Sequence, residues 1–335
     1  MNARLDEEVF FFDDPASRLR CVIAIDSATA LPALGGCSLV ADLDDADALR
    51  LALREAARTT RKLLLARLPC TGAHAVLLHP PAPFDRSALF AGFGRAVGRT
   101  RERFIAMQGD GATAQDMRVA RRSTPSIADT FDATCLDGPE AEVAFGVFVA
   151  MEEALRRLGR RMDRSTVAVS GLAGAGMRLC ERLHDAGAAL VVADGAPALA
   201  HEASQRFGAR VVDARDLPAQ DCDVFAPCGA GALDAGAAAR IAAPLVCGTA
   251  DAPFADPRDR DLLHARGVVV LPDILVNAGA LIAAAASRQA DGRRPAWLQG
   301  IAGIGRRVND LFDQMDGRAP YRLVDDWIDA RRPGA

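Results

Sequence analysis

Between Thr166 and Asp194 the chain carries the residue types a dinucleotide needs, in workable order. A β-branched apolar run, Thr166-Val-Ala-Val-Ser170, leads into Gly171-Leu-Ala-Gly-Ala-Gly176. An amphipathic segment to Ala186 follows, then a second apolar run, Ala188–Ala193, closed by Asp194. A glycine-rich turn between strand and helix lets backbone N–H groups and the helix N-terminus close on a pyrophosphate. An acid about 20 residues further on accepts hydrogen bonds from ribose hydroxyls, and Asp194 stands 23 residues after Gly171. In the G-x-G-x-x-G register the middle position is Ala173, whose methyl sits where backbone and phosphate approach most closely. Turns of this composition also occur in α/β proteins that bind no nucleotide, so the window alone leaves both readings open.

A second chemical signal is a count. Of the 40 basic residues only Lys62 is a lysine. Either it is a chance survivor, or a compact ammonium is needed where a planar guanidinium does not serve.

These residues need elements to hold them. Leu19–Ile25 alternates and predicts a strand, followed by a turn-rich loop at Leu31-Pro-Ala-Leu-Gly-Gly36. The apolar spacing of Ala46, Leu49, Leu53, Ala56 and Ala57 predicts a helix over Asp44–Leu65, with Lys62 near its end. Leu68–His74 reads as a loop, Ala75–Leu78 as a strand, Ser87–Val97 as a helix, and Phe104–Met107 as a strand ending in a Gly109-Asp-Gly111 turn. Arg118–Asp137 is polar and suits an irregular crossing between domains. Glu140–Arg157 predicts a helix leading into the glycine-rich unit. Beyond Asp194, strands at Ala209–Val212, Val224–Pro227, Pro244–Cys247 and Val268–Leu271 alternate with helical segments, which argues for a parallel, doubly wound sheet. In such sheets ligands lie at the carboxyl ends of the strands. The loops 229–232, 248–253 and 273–279 are therefore the expected rim of a cofactor site. Helices are predicted at Leu298–Met315 and Asp325–Arg331.

Composition excludes several alternatives. Half of the 335 residues are apolar, a quarter are charged, and net charge is −4, an ordinary globular balance with no basic surplus for nucleic acid. The N-terminus has acidic residues before Val9-Phe-Phe-Phe12 and no secretory pattern. The apolar run Ala278–Ala286 is too short to span a membrane. Eight cysteines without C-x-x-C spacing read as buried, reduced thiols of a cytoplasmic protein, and no metal site is supported.

Five short motifs then fall in order: Leu31-Pro-Ala-Leu-Gly-Gly36, Leu68-Pro-x-x-Gly72, Phe145-Gly-Val-Phe148, Ala226-Pro-Cys228 and Pro272-Asp-x-x-Val-Asn-Ala-Gly279. Together they resemble the Glu/Leu/Phe/Val dehydrogenase family, most closely its leucine dehydrogenase branch, from about Phe11 to Met315. The resemblance implies an α/β fold of two domains. Residues 1–137 would form a substrate and oligomerisation domain, and 138–284 a Rossmann-like NAD domain. Helices in 285–335 would pack back on the first, and the active site would lie in the cleft between the domains. It implies oxidative deamination of an L-amino acid to a 2-oxo acid, or the reverse imine reduction, by a homo-oligomer (dimer or higher). Residue by residue, Lys62 matches the lysine that holds the substrate carboxylate, beside Leu34, Gly35 and Gly36. Gly171, Ala173, Gly174 and Ala175 match the pyrophosphate turn, Asp194 the ribose acid, and Cys228 and Asn277 positions beside the nicotinamide and its ribose. Asp194 is followed by Gly195 and Ala196 with no arginine to receive a 2′-phosphate, which favours NAD over NADP.

The chain departs from the family at its chemistry. The family's Gly-Gly-Gly-Lys reads Thr71-Gly-Ala-His74, so His74 takes the place of the catalytic lysine, 12 residues after Lys62. The family's Glu-Asp-Val-Gly reads Gln108-Gly-Asp-Gly111, which aligns Gly109 with the catalytic aspartate and puts Asp110 one residue late. A threonine expected near the nicotinamide amide is Val143. A lysine ammonium steadies a developing oxyanion by roughly 3–4 kcal/mol in comparable sites; neutral imidazole does not. His74 is then an electrophile if protonated, or an acid–base group with Asp110 relaying the amine proton. The alternative is a diverged homologue doing other chemistry or only binding a nucleotide. Asp251 matches a family loop that carries Asn at the ribose, or is simply a cap on the turn at Pro253; Phe10–Phe12 reads as an N-terminal strand or dimer contact, and Trp297 and Trp327 as packing anchors. His79, His184, His201 and His264 read as core or surface residues.

Overall fold

The structure, a computed structural model, describes residues 7–26, 32–128, 138–229, 231, 233–288 and 294–331, with side chains from 297 onward in the last stretch. It divides into two units: 1–138 with 281–297, and 139–280 with 298–335.

The first unit is a five-stranded sheet with helices on both faces. Its elements are β1 (Glu8–Asp14), β2 (Leu19–Ile25), β3 (Ala33–Val40), α1 (Asp45–Ala66), β4 (Thr71–Leu78), α2 (Arg86–Arg99), β5 (Phe104–Met107) and α3 (Ala114–Arg121). The strand order is β1-β2-β4-β3-β5, with β1–β2 and β2–β4 antiparallel and β3 parallel to both β4 and β5. α1 starts at Asp44, whose side chain accepts from the Asp47 N–H at 2.7 Å. Its Ala48, Ala52 and Ala56 lie four apart and pack on Val22, Ala24, Val76 and Leu78. Small residues let the helix sit close to the strands. The other face is covered by Leu89, Phe90, Phe93 and Val97 of α2 with Met117 and Ala120 of α3. All eight residues of β4 are buried.

Three expectations change here. The predicted loop 31–36 is, from Ala33 on, the start of β3, and the predicted loop 68–74 is strand from Thr71 on. Gly35, Gly36 and Gly72 carry no side chain to show a period of two, yet β3 and β4 pair through this stretch, Leu34 opposite Gly72. The start of the predicted irregular crossing at 118 lies in α3, which a reciprocal Thr113–Asp116 capping box opens. The part of that crossing at 129–137 lies outside the described residues, as does Leu31.

The second unit begins with α4 (Pro139–Arg157). It continues through β6 (Thr166–Ser170), α5 (Ala175–Asp185), β7 (Ala189–Ala193), α6 (Pro197–Phe207), β8 (Arg210–Val211), β9 (Val224–Pro227), α7 (Ala235–Arg240), β10 (Leu245–Val246), α8 (Arg258–Ala265), β11 (Val269–Val270) and α9 (Asp273–Val276). α10 (Gly279–Ala286), α11 (Arg294–Gln314) and α12 (Pro320–Asp329) complete the chain. The sheet order is β11-β10-β9-β6-β7-β8, every pairing parallel. Counted from the first strand this is 3-2-1-4-5-6, the doubly wound order whose ligand crevice opens where the winding reverses, between β6 and β9.

The tail differs from expectation in extent. Helices in 285–335 were assigned to the first unit by resemblance; 281–297 group with it, and 298–335 with the second. The reason is α11 running along α4. A Cβ on Gly146 would lie 2.8 Å from Ile304 Cδ1 and one on Gly305 2.9 Å from Val149 Cγ1. Arg157 adds a hydrogen bond to Asn309 at 3.0 Å. The cysteines at 21, 37, 180, 222 and 247 are buried free thiols. Among the described residues no helix is long and apolar enough to cross a membrane.

Candidate functional site

In the first unit His74 lies on the sheet face that α1 covers. Side chains of a strand alternate, so Gly72 and His74 share the face of Val76 and Leu78, against the α1 alanines. α1 is fixed to that face through Thr60, whose hydroxyl accepts from the Gly72 N–H at 2.8 Å. Lys62, half-buried, follows two residues later. Replacing Thr60 by Val leaves a buried N–H unpaired and is expected to cost about 1–3 kcal/mol, with Ser restoring most of it. Melting of the two variants checks this; equal losses for Val and Ser would show that the hydroxyl does not hold the helix.

His74 is buried, and its Nε2 lies 2.9 Å from the Ser38 hydroxyl of β3. The other edge of the ring faces Gly36, where a Cβ would lie 3.5 Å from Cε1 and 3.7 Å from Nδ1. Glycine at 36 places no side chain of its own against that edge of the imidazole. Gly35 is constrained far more tightly: a Cβ there would fall 1.6 Å from the Ala73 carbonyl oxygen. Leu34 is buried beside them.

Asp110 is exposed at the end of β5, and its carbonyl accepts from the Leu39 N–H at 2.9 Å. The preceding Gly109 is packed tightly against β3. A Cβ at 109 would lie 2.5 Å from the Cys37 carbonyl oxygen, so an aspartate there would force β3 to move.

In the second unit Gly171, Ala173, Gly174, Asp194 and Cys228 follow the carboxyl ends of β6, β7 and β9, Ala175 opens α5, and Asn277 caps the end of α9. Gly171 ends β6 at φ +91°, and a Cβ on it would fall 2.2 Å from Gly229 Cα, directly after Cys228 at the end of β9. Gly174 is also in the left-handed half of backbone space, at φ +54°, and α5 starts at Ala175. Ala173 and Gly174 are exposed, so the turn is open at its tip despite the extra methyl. Gly176, the third glycine of the motif and absent from the predicted set, lets helix and strand close: a Cβ there would meet the Gly171 carbonyl oxygen at 2.2 Å.

Asp194 ends β7 half-buried, accepting from the Leu172 N–H at 2.6 Å and the Ala196 N–H at 2.7 Å. The acid is thereby tied to the turn it must serve, and each oxygen keeps a lone pair for a hydroxyl. Burial pushes the Cys228 thiol up, partly offset by hydrogen bonding to Thr249. The Asn277 amide nitrogen donates to Asp251 at 2.7 Å, with the Thr249 carbonyl 3.5 Å away. Thr249 therefore links Cys228 and Asn277 into one cluster. Asp251 is not simply the cap on the turn at Pro253; it pairs with Asn277.

These features fit a dinucleotide. The strained turn is open to a pyrophosphate, an acid is held beside it, and Asn277 Oδ1 is a buried acceptor with no partner among the described residues. Ser38 gives no signal in the sequence, since a serine inside an apolar strand is commonplace, and nothing in the sequence pairs Asp251 with Asn277.

Residues 199–300 match the model of the Glutamate/Leucine/Phenylalanine/Valine dehydrogenase family. A leucine dehydrogenase of Bacillus subtilis (strain 168) is 31% identical over 331 residues, covering 97% of this chain and 91% of the relative. An L-tryptophan dehydrogenase of Nostoc punctiforme is 31% identical over 280 residues, 82% of this chain and 78% of the relative. The crystal structure of L-tryptophan dehydrogenase from Nostoc punctiforme superposes with a TM-score of 0.77 at 27% identity, covering 97% of this chain and 96% of that one.

Proposed function

Because the chain belongs to the Glu/Leu/Phe/Val dehydrogenase family, we propose that it is an NAD-dependent oxidoreductase that deaminates an L-amino acid to a 2-oxo acid, or runs the reverse reductive amination. The observation that carries this is the Gly171–Gly176 turn at the winding reversal of a parallel sheet, with Asp194 hydrogen-bonded to it. NAD, when bound, supplies the hydride acceptor. The second unit's residues hold it: Gly171, Ala173, Gly174 and Ala175 at the pyrophosphate, Asp194 at the adenosine ribose, and Cys228 and Asn277 at the nicotinamide end. Gly195 and Ala196, the two residues after Asp194, offer no arginine to a 2′-phosphate.

The first unit is the substrate domain. Lys62 holds the carboxylate beside Leu34, Gly35 and Gly36. His74 stands where the family has a lysine. Ser38 meets its Nε2, Gly36 lies beside Nδ1, and the imidazole serves as donor or acceptor toward the substrate. Asp110 relays the amine proton. The enzyme is proposed to be cytoplasmic and homo-oligomeric, and light scattering on the purified protein checks the second point.

The test is a titration with NADH followed by a screen of L-amino acids with NAD at alkaline pH. NADH should bind, and at least one amino acid with an apolar side chain should turn over. His74→Lys should raise turnover by about 10²-fold, since it restores a fixed charge worth roughly 3 kcal/mol at the reacting oxygen. Absence of both NADH binding and turnover would end the redox reading.

A further inference from the structure

Asn277 has two unlike ends. Its amide nitrogen faces Asp251 Oδ1 at 2.7 Å and the Thr249 carbonyl oxygen at 3.5 Å. A carboxylate and a carbonyl only accept hydrogen bonds, so the nitrogen must be the end that faces them. The amide cannot be turned over without setting oxygen against oxygen. Oδ1 is therefore committed to the opposite side, where it is buried and has no partner among the described residues.

The residues that impose this are themselves held. Ala252 sits at φ +46°, a conformation an alanine adopts at a cost, and its N–H donates to Asp273 Oδ2 at 3.1 Å. Asp273 Oδ1 accepts from the Tyr321 hydroxyl of α12 at 2.9 Å. The Asp273 carbonyl accepts from the Asn277 N–H at 3.0 Å. The circuit Asp251–Ala252–Asp273–Asn277 thus closes on itself, with Tyr321 as its brace and the Arg260 guanidinium 4.0 Å from the centre of the tyrosine ring. Nothing in the circuit uses Asn277 Oδ1.

We propose that Asp251 is a positioning residue that locks the Asn277 amide so that its oxygen is offered to a hydrogen-bond donor on the nicotinamide half of the bound dinucleotide. The donor is a ribose hydroxyl or the carboxamide N–H, both of which need an acceptor. This rests on the dinucleotide reading of the site, and goes beyond it in assigning Asp251 and the polarity of the amide.

Binding tests it without turnover. NADH and ADP are titrated against the full chain, because ADP reports the pyrophosphate turn and Asp194 but lacks the nicotinamide half. Asp251→Ala should weaken NADH about tenfold, the loss of one oriented hydrogen bond, and leave ADP unchanged. Asp251→Asn can offer its own oxygen to the Asn277 nitrogen and should stay within about threefold of the parent for NADH. Asn277→Ala should match Asp251→Ala, and the double variant should be no weaker than either, because both remove the same contact. The acetylpyridine analogue of NADH, which has no amide N–H, identifies the donor. A persisting Asp251→Ala penalty assigns the ribose hydroxyl, and a vanishing one assigns the carboxamide. Equal weakening of ADP and NADH, or additive losses in the double variant, would overturn the proposal. If the parent binds neither ADP nor NADH, the dinucleotide reading itself fails; parent binding with an indifferent Asp251→Ala defeats the positioning role alone.

Discussion

Gly35→Ala is expected to destabilise the first unit by on the order of 4 kcal/mol, enough to leave it largely unfolded at moderate temperature. The added Cβ would fall 1.6 Å from the Ala73 carbonyl oxygen, with the carbonyl carbon at 2.5 Å and Ala73 Cα at 3.3 Å. All three are backbone atoms, so no rotamer change relieves the clash. β3 is held on both sides, to β4 through Leu34 and Cys37 and to β5 through Gly35 and Gly36. Relief therefore means separating central strands. The control is Gly195→Ala in the second unit, where a Cβ has nothing within 4 Å and the change should stay within about 0.5 kcal/mol. Hydrogen exchange in β3 and β4 reads the first unit separately from the second. A Gly35→Ala protein with parental protection there, or a melting temperature within about 2 °C of the parent, would show that the strands yield and that the contact is not what fixes the glycine.

That constraint also explains what a sequence of this kind conceals. The strands Thr166–Ser170, Val224–Pro227 and Phe104–Met107 are legible because apolar and β-branched residues run uninterrupted between turn residues. The start of β3 and of β4 is illegible for the same reason that the site exists. Glycines are needed where backbones approach, and a glycine carries neither hydrophobic period nor strand propensity. Leu34-Gly-Gly36 and Thr71-Gly-Ala thus look like turns while lying in the middle of a sheet.

The candidate site divides along a similar line. The glycine-rich turn and Asp194 are local in sequence, and their order along one strand–turn–helix–strand unit could be read directly. Pairings between distant residues could not. Ser38 meets His74 across neighbouring strands, 36 residues apart, and Asp251 meets Asn277 across 26. Gly109 is the instructive intermediate case. The sequence has glycine at 109 and aspartate at 110, but only the position of the Cys37 carbonyl gives a physical reason for the glycine.

Glu142 supplies the second large effect, and it is a matter of sign. In sequence it is an unremarkable acid in the first turn of a helix, where the macrodipole favours a negative charge by about 0.3–1 kcal/mol. In the structure it is fully buried, and neither carboxyl oxygen has a hydrogen-bond partner among the described residues. Burial, helped by the nearby negative charge of Glu140, pushes its pKa up to about 8 from the ordinary 4.5. Desolvation therefore outweighs the dipole several-fold, and the folded protein holds Glu142 neutral near pH 7. The unfolded chain ionises the same group near 4.5 and so binds fewer protons between about pH 4.5 and 8 than the folded one. Stability contributed by this site is complete below that window, falls by up to about 1.4 kcal/mol per pH unit within it, and is lost above it. Glu142→Gln keeps the shape and removes the proton. Its unfolding free energy relative to the parent should rise steadily from pH 5 to pH 8, by on the order of 3–4 kcal/mol in all. Denaturant titrations at four pH values suffice to measure it. Parallel curves for parent and variant across that range would mean that the carboxyl is ionised in the folded state, with a compensating partner close by.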